Sequence, residues 1–384
     1  MALINFTGFE NGPTPTGNHE FPSAATGYWE PQYTGIVRTG SYAGRAIATT
    51  TQLAAQRIGG FISTGAPSVG NYANLYLTFH FQIVTLPGGG NTEEICSFFK
   101  YTNPYKAAVR IDPDGKLSLW DSVPSQIGST GTTVLTTGVW YRIEVYCGTG
   151  AAGSMEVRIN GVSEISTTGN LGTVNSGDAA VGKYHNRSNQ GVEFIYDDVW
   201  LDDAAYQGDF EVKRMVPDGD GNYTAWTGTY ADVDEQPPDN DTSYIYSSTS
   251  GHAETITLQS ASAAGISGTV HAVQAWAVIR EASTVTSAVQ VRMRSGSTDS
   301  DTTSRNFTTS YQFNCNQRAT DPAGAAWTLS ALDSLEVGVE NNAANTIRCS
   351  YLAAMVAYTP VRGGAFPHHL DNQHLTGGLQ SMGI

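Results

Sequence analysis

Charged residues are scarce in this chain. They make up 14% of its 384 residues, and 35 acidic residues outnumber 20 basic ones, which gives a formal net charge of −15. A typical soluble domain carries about 25% charged residues. Because an acidic surface repels phosphate groups and anionic lipids, the composition argues against nucleic-acid binding and against membrane insertion.

Other common features are also missing. Residues 1–6 have no basic region followed by an apolar core, so we expect no secretory signal peptide. No apolar run approaches the roughly 18 residues of a membrane-spanning helix, and the longest runs, at 270–279 and 351–358, have the length of strands. The 4 cysteines have neither zinc-ligand spacing nor the pattern of a disulfide framework. We expect them to be reduced and buried, with a bridge between Cys315 and Cys349 as the open alternative.

Glycine, threonine, serine and asparagine supply most of the polarity instead. There are 42 glycines, and aromatic residues make up 10% of the chain. This mixture favours strands and tight turns over helices. Apolar and polar residues alternate, as at 288–294, and turn signals such as Asp114-Gly115 and Asn160-Gly161 separate strand-like runs. We therefore predict an all-β protein with two β-sandwich (jelly-roll) domains and an extended C-terminal tail.

Two patterns in the first half point to one kind of sandwich. One is the strand-like run at 192–201, which contains Asp197-Asp198-Val199-Trp200. The other is Trp140-Tyr141-Arg142-Ile143-Glu144-Val145, followed by Val157-Arg158-Ile159-Asn160-Gly161. Residues 1–205 thereby resemble the concanavalin A-like, or laminin-G-like, sandwich. The resemblance implies that the run at 192–201 closes the sandwich and lies beside an opening strand within residues 2–10.

The second half, residues 206–360, begins with two polar segments. Asp218-Gly219-Asp220-Gly221-Asn222 is interpreted as a solvated turn, with a weak ion site as the less favoured alternative. An acidic loop follows at 232–243 and contains Pro237-Pro238. Alternating runs then continue to residue 358. Together with Trp327-Thr328-Leu329, they resemble the galactose-binding-like and related jelly-roll sandwiches of phage particle proteins.

Residues 361–384 form the predicted tail. Its apolar residues are too widely spaced for a core, so we predict that they dock on another chain during assembly. These residues are Phe366, Leu370, Leu375, Leu379 and Ile384.

The sequence shows no pattern of a known hydrolase. The Glu-x-Asp motif of concanavalin A-like glycoside hydrolases does not occur, nor does the Gly-x-Ser-x-Gly elbow of serine hydrolases. The adjacent acids Asp197 and Asp198 cannot replace a carboxylate pair, because neighbouring strand residues point to opposite faces. We therefore expect no enzymatic activity and no catalytic residues.

Candidate binding residues are of two kinds. Aromatic residues beside polar groups are candidates for glycan contact, although each has a second interpretation as a core residue: Trp29, Tyr101, Tyr105 and Tyr184. Carboxylates at the junction of the first and last strands are candidates for Ca²⁺, with hydrogen bonding to loop amides as the favoured alternative: Glu10, Asp197 and Asp198. No other cofactor is expected.

The combined pattern resembles a tailed-bacteriophage virion protein. We predict a non-catalytic structural protein for head decoration, a fibre or a minor tail position, assembled in the host cytoplasm and located in the virion. Other virion proteins, further copies of this chain and host or environmental glycans are the expected partners. The alternative is a secreted carbohydrate-binding module or an accessory protein of a glycoside hydrolase.

Overall fold

The computed structural model describes residues 3–10, 29–48, 54–58, 72–100, 103–121, 125–172, 176–183, 191–283 and 287–361. They fold almost entirely into antiparallel strands, which confirms the predicted all-β class of β-sandwiches. None of their helices is long and apolar enough to cross a membrane. Several predicted sites lie outside the described residues: Tyr101, Tyr184, the side chain of Tyr105, and the docking residues Phe366, Leu370, Leu375, Leu379 and Ile384.

The first sandwich is built from the strands between residues 3 and 202. In chain order they are β1 (Leu3–Thr7), β2 (Trp29–Tyr33), β3 (Ala43–Ala48), β4 (Ala54–Ile58), β5 (Asn74–Thr85), β6 (Glu93–Lys100), β7 (Asn103–Ile111), β8 (Leu117–Trp120), β9 (Gln126–Ile127), β10 (Trp140–Gly148), β11 (Gly153–Ile159), β12 (Val162–Gly169), β13 (Asp178–Lys183) and β14 (Val192–Asp202).

These strands form two sheets. The first has the order β12-β11-β10-β5-β14-β3-β2, with β1 also paired to β14, and the second has the order β4-β13-β6-β7-β8-β9. Strands β1 and β3 share β14 as a partner: Thr7 lies opposite Val199, and Gly44 lies opposite Tyr196. The predicted contact between the opening and closing strands is therefore confirmed.

The core of the first sandwich follows the alternation of the sequence. In β10, Ile143, Val145 and Cys147 are fully buried against the opposite sheet. The residues between them point to the outer face, as expected for a side-chain period of two. The predicted hairpin at Asn160-Gly161 joins β11 to β12, and both residues have the positive φ (53° and 87°) that such a turn requires.

The second sandwich contains the strands β15 (Glu211–Met215), β16 (Pro217–Thr224), β17 (Ile245–Ser247), β18 (His252–Leu258), β19 (Thr269–Glu281), β20 (Ser287–Ser295), β21 (Thr298–Asp301), β22 (Arg305–Phe307), β23 (Gln312–Arg318), β24 (Leu335–Asn341) and β25 (Ile347–Thr359). A 3-10 turn at Tyr230–Asp232 and the short helix α1 (Leu329–Asp333) accompany them. One sheet has the order β15-β25-β19-β23 with β17 on β25, and the other has the order β16-β18-β24-β20-β21 with β22 on β20.

Strands β19 and β25 are buried on both faces. Val273 and Ala275 of β19 face the core of the second sandwich, while Trp276 and Val278 belong to an apolar cluster that packs against the first sandwich. This double burial explains the largely apolar runs at 270–279 and 351–358, because most of both faces of these strands is shielded from water.

That apolar cluster joins the two sandwiches. Phe6 of β1 and Trp200 of β14 stack with ring centroids 5.7 Å apart, and both lie in the same cluster as Trp276. Polar contacts support the junction, since Gln274 Nε2 donates hydrogen bonds of 3.0 Å to Asn5 Oδ1 and to the Phe6 carbonyl. The opening strand β1 therefore pairs with β14 of the first sandwich and is also hydrogen-bonded to β19 of the second.

The acidic loop at 232–243 is tied to the second sandwich near both ends. Val233 is buried in its core, and the Val233 carbonyl accepts a 3.0 Å hydrogen bond from the Leu352 N–H. Asp241 Oδ1 lies 2.8 Å from Arg280 Nη2 and 2.8 Å from Arg348 Nη1, and it accepts a 3.0 Å hydrogen bond from the Tyr311 hydroxyl. Asp241 thus anchors the C-terminal end of the loop.

The cysteines form no disulfide bond with one another. Cys96, Cys147, Cys315 and Cys349 are all buried thiols. Cys315 lies in the cluster between the sandwiches, whereas Cys349 faces the core of the second sandwich, and β19 separates their strands. The alternative of a bridge between Cys315 and Cys349 is therefore wrong, because the two thiols occupy opposite faces of the sheet.

Candidate functional site

A bulge in β14 places two acidic residues at the junction of β1 and β3. The pairing of β14 with β5 shifts between Asp197 and Trp200, and Asp198 adopts a φ of 44°. An additional residue in one strand bends the chain and re-aims its side chains. The bulge therefore lets two neighbouring acids avoid the apolar core, which regular alternation would forbid.

Both carboxylates are fully buried and bind the loop at 34–42. Asp197 Oδ2 accepts hydrogen bonds from the backbone N–H groups of Arg38 (2.9 Å) and Thr39 (3.1 Å). Asp198 accepts from Arg38 Nη1 at 2.5 Å and from the Thr39 hydroxyl at 2.8 Å. Burial, together with the neighbouring Asp198, raises the pKa of Asp197 well above its usual range.

Glu10 binds the same loop from the other side. Its side chain is 3% exposed, and its Oε1 accepts hydrogen bonds from the backbone N–H groups of Ser41 (2.7 Å) and Tyr42 (2.9 Å). Burial raises the pKa of Glu10 to about 7.

The predicted calcium ligands are thus engaged with hydrogen-bond donors. Glu10, Asp197 and Asp198 all direct carboxylate oxygens at N–H or O–H groups. Among the described residues, no group of three or more His, Cys, Asp or Glu side chains could hold a metal ion. The geometry is that of the hydrogen-bonded alternative, in which N–H and O–H groups occupy carboxylate oxygens that a cation would need.

Trp29, predicted as a glycan contact, lies in the core of the first sandwich. It is 6% exposed, and its ring packs against Phe9 and Tyr196 with centroid distances of 6.0 and 5.8 Å. A sugar cannot stack on a ring whose faces are covered by other rings, so its interpretation as a core residue applies.

A cleft of about 510 Å³ opens beside the bulge, on the outer face of the first sheet. We call it the Arg142 cleft. Its lining comes from β5, from β10 and the hairpin after β11, from the loop at 34–42, and from residues 203–211, the connection that ends at the first residue of β15. The lining residues are Arg38, Thr39, His80, Trp140, Arg142, Asn160, Asp209 and Glu211.

The floor of the cleft follows from pairing between β5 and β10. Arg142 lies directly opposite His80, and on the other side of β5 His80 lies opposite Asp197. Arg142 is positioned by the hairpin: its backbone N–H donates to Asn160 Oδ1 at 2.9 Å. Its buried Nε, 3.5 Å from Glu144 Oε2, has no hydrogen-bond partner within the described parts of the chain.

His80 connects the bulge to the cleft. Its Nε2 lies 3.2 Å from Asp209 Oδ1, and its Nδ1 lies 3.9 Å from Asp198 Oδ2. Burial lowers the pKa of His80 below its usual value, so the imidazole is neutral at neutral pH. A neutral ring that donates from Nε2 to Asp209 has an unprotonated Nδ1, and this side chain therefore positions Asp209.

Asp209 and Glu211 place two carboxylates in the same cleft. Asp209 Oδ1 also accepts from Arg38 Nη2 at 3.0 Å, and Glu211 Oε2 accepts from the Tyr358 hydroxyl at 2.8 Å. Phe210 between them is fully buried in the cluster that joins the sandwiches. The two acids therefore reach the cleft together while Phe210 anchors the chain.

Sequence reasoning missed this pair. A search for Glu-x-Asp does not find Asp209-Phe210-Glu211, although the acids have the same spacing. The available signal was the acid–aromatic–acid alternation, which is the period of a half-buried strand.

Comparisons with known proteins add a likeness of fold. No protein-family model matches the chain, and no curated protein matches it in sequence. An endo-β-1,4-glucuronan lyase from the fungus Trichoderma reesei is 13% identical with a TM-score of 0.36, over 50% of this chain and 93% of that one. An alginate lyase from Corynebacterium sp. is 10% identical with a TM-score of 0.34, over 47% of this chain and 82% of that one.

A Trypanosoma rangeli sialidase is 12% identical with a TM-score of 0.29, and the match spans 42% of this chain but 27% of the sialidase. All three are glycan-processing enzymes, and this finding corrects the prediction that the protein is not an enzyme. None of the similar structures indicates a phage particle protein. The β-sandwich jelly-roll fold of this chain follows from its own antiparallel sheets.

Proposed function

We propose that the protein binds a glycan in the Arg142 cleft and cleaves it there. The observation that carries this proposal is the composition of the lining: an aromatic ring, two guanidinium groups and two carboxylates share one cavity of about 510 Å³. Half-buried Trp140 offers a surface for a sugar ring. Arg142 supplies donors for sugar hydroxyls or for a sugar carboxylate.

The two acids provide the chemistry. Asp209 lies at a bend and Glu211 begins β15, and both side chains line the cleft. Their Cα atoms are at most about 7 Å apart, because each residue adds no more than about 3.6 Å of chain. Carboxylates separated by about 6.5–9.5 Å suit hydrolysis with inversion, because a water molecule fits between one of them and the sugar. We assign Asp209 as the base and Glu211 as the acid.

The proposed step balances as follows. The oxygen of a water molecule attacks the anomeric carbon and gives its proton to Asp209, which Arg38 and His80 hold in place. The bond between that carbon and the glycosidic oxygen breaks, and the leaving oxygen takes a proton from Glu211. Each proton transfer of this kind contributes about 10²–10⁴-fold to the rate.

The test is a cleavage assay on a panel of neutral and acidic polysaccharides. We expect the wild type to release reducing ends, and we expect Asp209→Asn and Glu211→Gln each to lower the rate at least about 100-fold. Asp114→Asn is the matched control, because Asp114 is an exposed turn residue outside the cleft. Trp140→Ala should weaken binding of the polymer with little change in fold.

Two results would overturn the proposal. One is the absence of both cleavage and retention across the panel. The other is unchanged cleavage by Asp209→Asn and Glu211→Gln, which would place the reaction elsewhere. Products with an unsaturated sugar at the new end would refute the hydrolytic step, because elimination leaves a double bond and hydrolysis does not.

We also propose, from the sequence resemblance alone, that this activity is carried on a phage particle. The proposed partners are other virion proteins and further copies of this chain, with residues 361–384 as the docking segment. Mass spectrometry of purified particles tests this location. Absence of the protein from particles that a lysate releases would contradict it and would leave the secreted alternative.

A further inference from the structure

A second cavity opens on the same outer face of the first sheet. Its volume is about 470 Å³, and three tyrosines and one ion pair supply most of its lining. We call it the tyrosine pocket, defined by Tyr76, Tyr146, Glu156, Arg158 and Tyr206.

The tyrosine pocket is in line with the Arg142 cleft. Tyr146 of β10 lies opposite Tyr76 of β5, just as Arg142 lies opposite His80. Four residues separate the two pairs along each strand, which corresponds to about 13 Å. The two cavities therefore lie beside the same two strands, β5 and β10. Because they are about 13 Å apart, a disaccharide is too short to fill both.

The polar side chains of the sheet between them are buried: Glu144 is 3% exposed, and Thr78 opposite it is fully buried. Glu144 of β10 points to the same face as Arg142 and Tyr146, and it lies directly opposite Arg158 of β11. Its Oε2 is 3.5 Å from Arg142 Nε. The outer row of β10 thus runs from Trp140 through two charged side chains to Tyr146, with an aromatic ring at each end.

The same connection also forms a wall of both cavities. Residues 204–206 line the tyrosine pocket, while Asp209 and Glu211 line the Arg142 cleft. A ligand that extends from one cavity to the other would therefore follow the connection along its whole length.

The tyrosine pocket is built to accept an uncharged ring. The Tyr76 and Tyr146 rings are 4.9 Å apart, and Tyr206 meets Tyr76 edge-on at 5.1 Å. Arg158 donates to both oxygens of Glu156 (2.9 and 3.1 Å), so the two charges cancel. Aromatic faces beside neutralised polar groups suit the apolar face and the hydroxyls of a neutral sugar.

We propose that the tyrosine pocket is a second subsite, which binds a neutral pyranose unit of the glycan chain held in the Arg142 cleft. The chain passes from one cavity to the other along the connection, whose residues line both. This inference rests on the proposed function, because it takes the ligand of the first cavity as its starting point.

The experiment measures affinity against chain length, with disaccharide to octasaccharide ladders of β-1,4-glucan, mannan and alginate. Glu211→Gln serves as the parent protein, so that no ligand is cleaved. Affinity should rise with length until both cavities are filled. Tyr146→Ala should lower affinity for the long oligosaccharides about tenfold and leave the disaccharide unchanged.

Two control variants isolate the ring. Tyr146→Phe keeps the ring and loses only the hydroxyl that donates to Asn74, so it should retain the length dependence. Tyr246→Ala removes a 40% exposed tyrosine from the second sandwich and should have no effect. Melting temperatures of all variants identify any loss of fold.

The outcomes separate the two proposals. Affinity that depends on Trp140 but not on chain length, or a Tyr146→Ala variant that binds long ligands normally, would overturn the second subsite and leave the proposed function intact. Equal losses for short and long ligands in Tyr146→Ala would also overturn it. If no ladder binds at any length, the proposed function fails and the second subsite fails with it.

Discussion

Asp198, on the bulge of β14, accepts a 2.7 Å hydrogen bond from the backbone N–H of Val212, on the first strand of the second sandwich. The same carboxylate binds Arg38 at 2.5 Å, and Arg38 reaches Asp209 at 3.0 Å. One buried side chain therefore connects β14, the loop at 34–42 and the start of the second sandwich. These three segments form one side of the Arg142 cleft.

Asp198→Ala should be strongly destabilising. It removes one partner of a buried ion pair and leaves the Arg38 guanidinium and the Val212 N–H without their acceptor. We expect a loss of about 3–5 kcal/mol in the free energy of unfolding, measured by urea denaturation. Asp114→Asn, at an exposed turn, should change it by less than about 0.5 kcal/mol. A small loss for Asp198→Ala would show that Asp209 alone holds Arg38.

Glu10 should make stability depend on pH. Because its pKa rises from 4.5 to about 7 on folding, the folded protein holds a proton between these values that the unfolded chain has lost. Its contribution to stability is therefore fully present below about pH 4.5 and is lost as the pH rises through about 7. The loss amounts to about 3 kcal/mol.

Glu10→Gln keeps an acceptor for Ser41 and Tyr42 and removes the ionisation. The unfolding free energy of the variant, relative to the wild type, should rise by about 3 kcal/mol across this pH range. Glu254, whose pKa is also raised to about 7 by burial, leaves a residual pH dependence in the variant. A difference that is constant with pH would contradict the role of Glu10.

Much of the fold could be predicted because local patterns decide it. The outward row of β10 and the hairpin at Asn160-Gly161 follow from alternation and turn chemistry. The segment Asp218-Gly219-Asp220-Gly221-Asn222 is different: its sequence predicts a solvated turn, but it lies within β16. A Cβ on Gly221 would lie 2.5 Å from Thr255 Oγ1 of the neighbouring strand. Glycine is needed there for a close approach across the sheet, which the local sequence does not reveal.

The cleft was harder to predict because it depends on how the sandwiches dock. The sequence predicts a strand that contains Trp140 and Arg142, but Asp209 and Glu211 belong to the connection. They meet only when Phe210 is buried between Trp200 and His80. For Trp29 the sequence predicts a glycan contact, but the residue lies in the core. A sequence alone does not distinguish an aromatic residue in a loop from one in the core.

Trp276 should couple the two sandwiches. Its ring is fully buried in the cluster between them, and its Nε1 donates to Gln274 Oε1 at 2.9 Å. Trp276→Ala should cost about 3–5 kcal/mol and split a single calorimetric transition into two. Trp226→Ala, in the core of the second sandwich, should destabilise that sandwich without uncoupling it. A single transition in the Trp276 variant would show that the polar contacts of Gln274 suffice for coupling.

Gly161→Ala should test the position of the Arg142 guanidinium without changing any group that touches the ligand. Gly161 has a φ of +87°, and a Cβ there would lie 2.6 Å from Arg142 Nη2. The arginine must move away, because its end is the flexible partner in this contact. The left-handed conformation itself costs an alanine about 1–2 kcal/mol. Gly90→Ala is the matched control: its φ is +74°, and no atom lies within 4 Å of the added Cβ. Both variants should therefore lose similar stability in urea denaturation, while only Gly161→Ala should lose affinity for the polysaccharide that the wild type retains. Equal affinities in the two variants would show that Arg142 takes no part in holding the glycan.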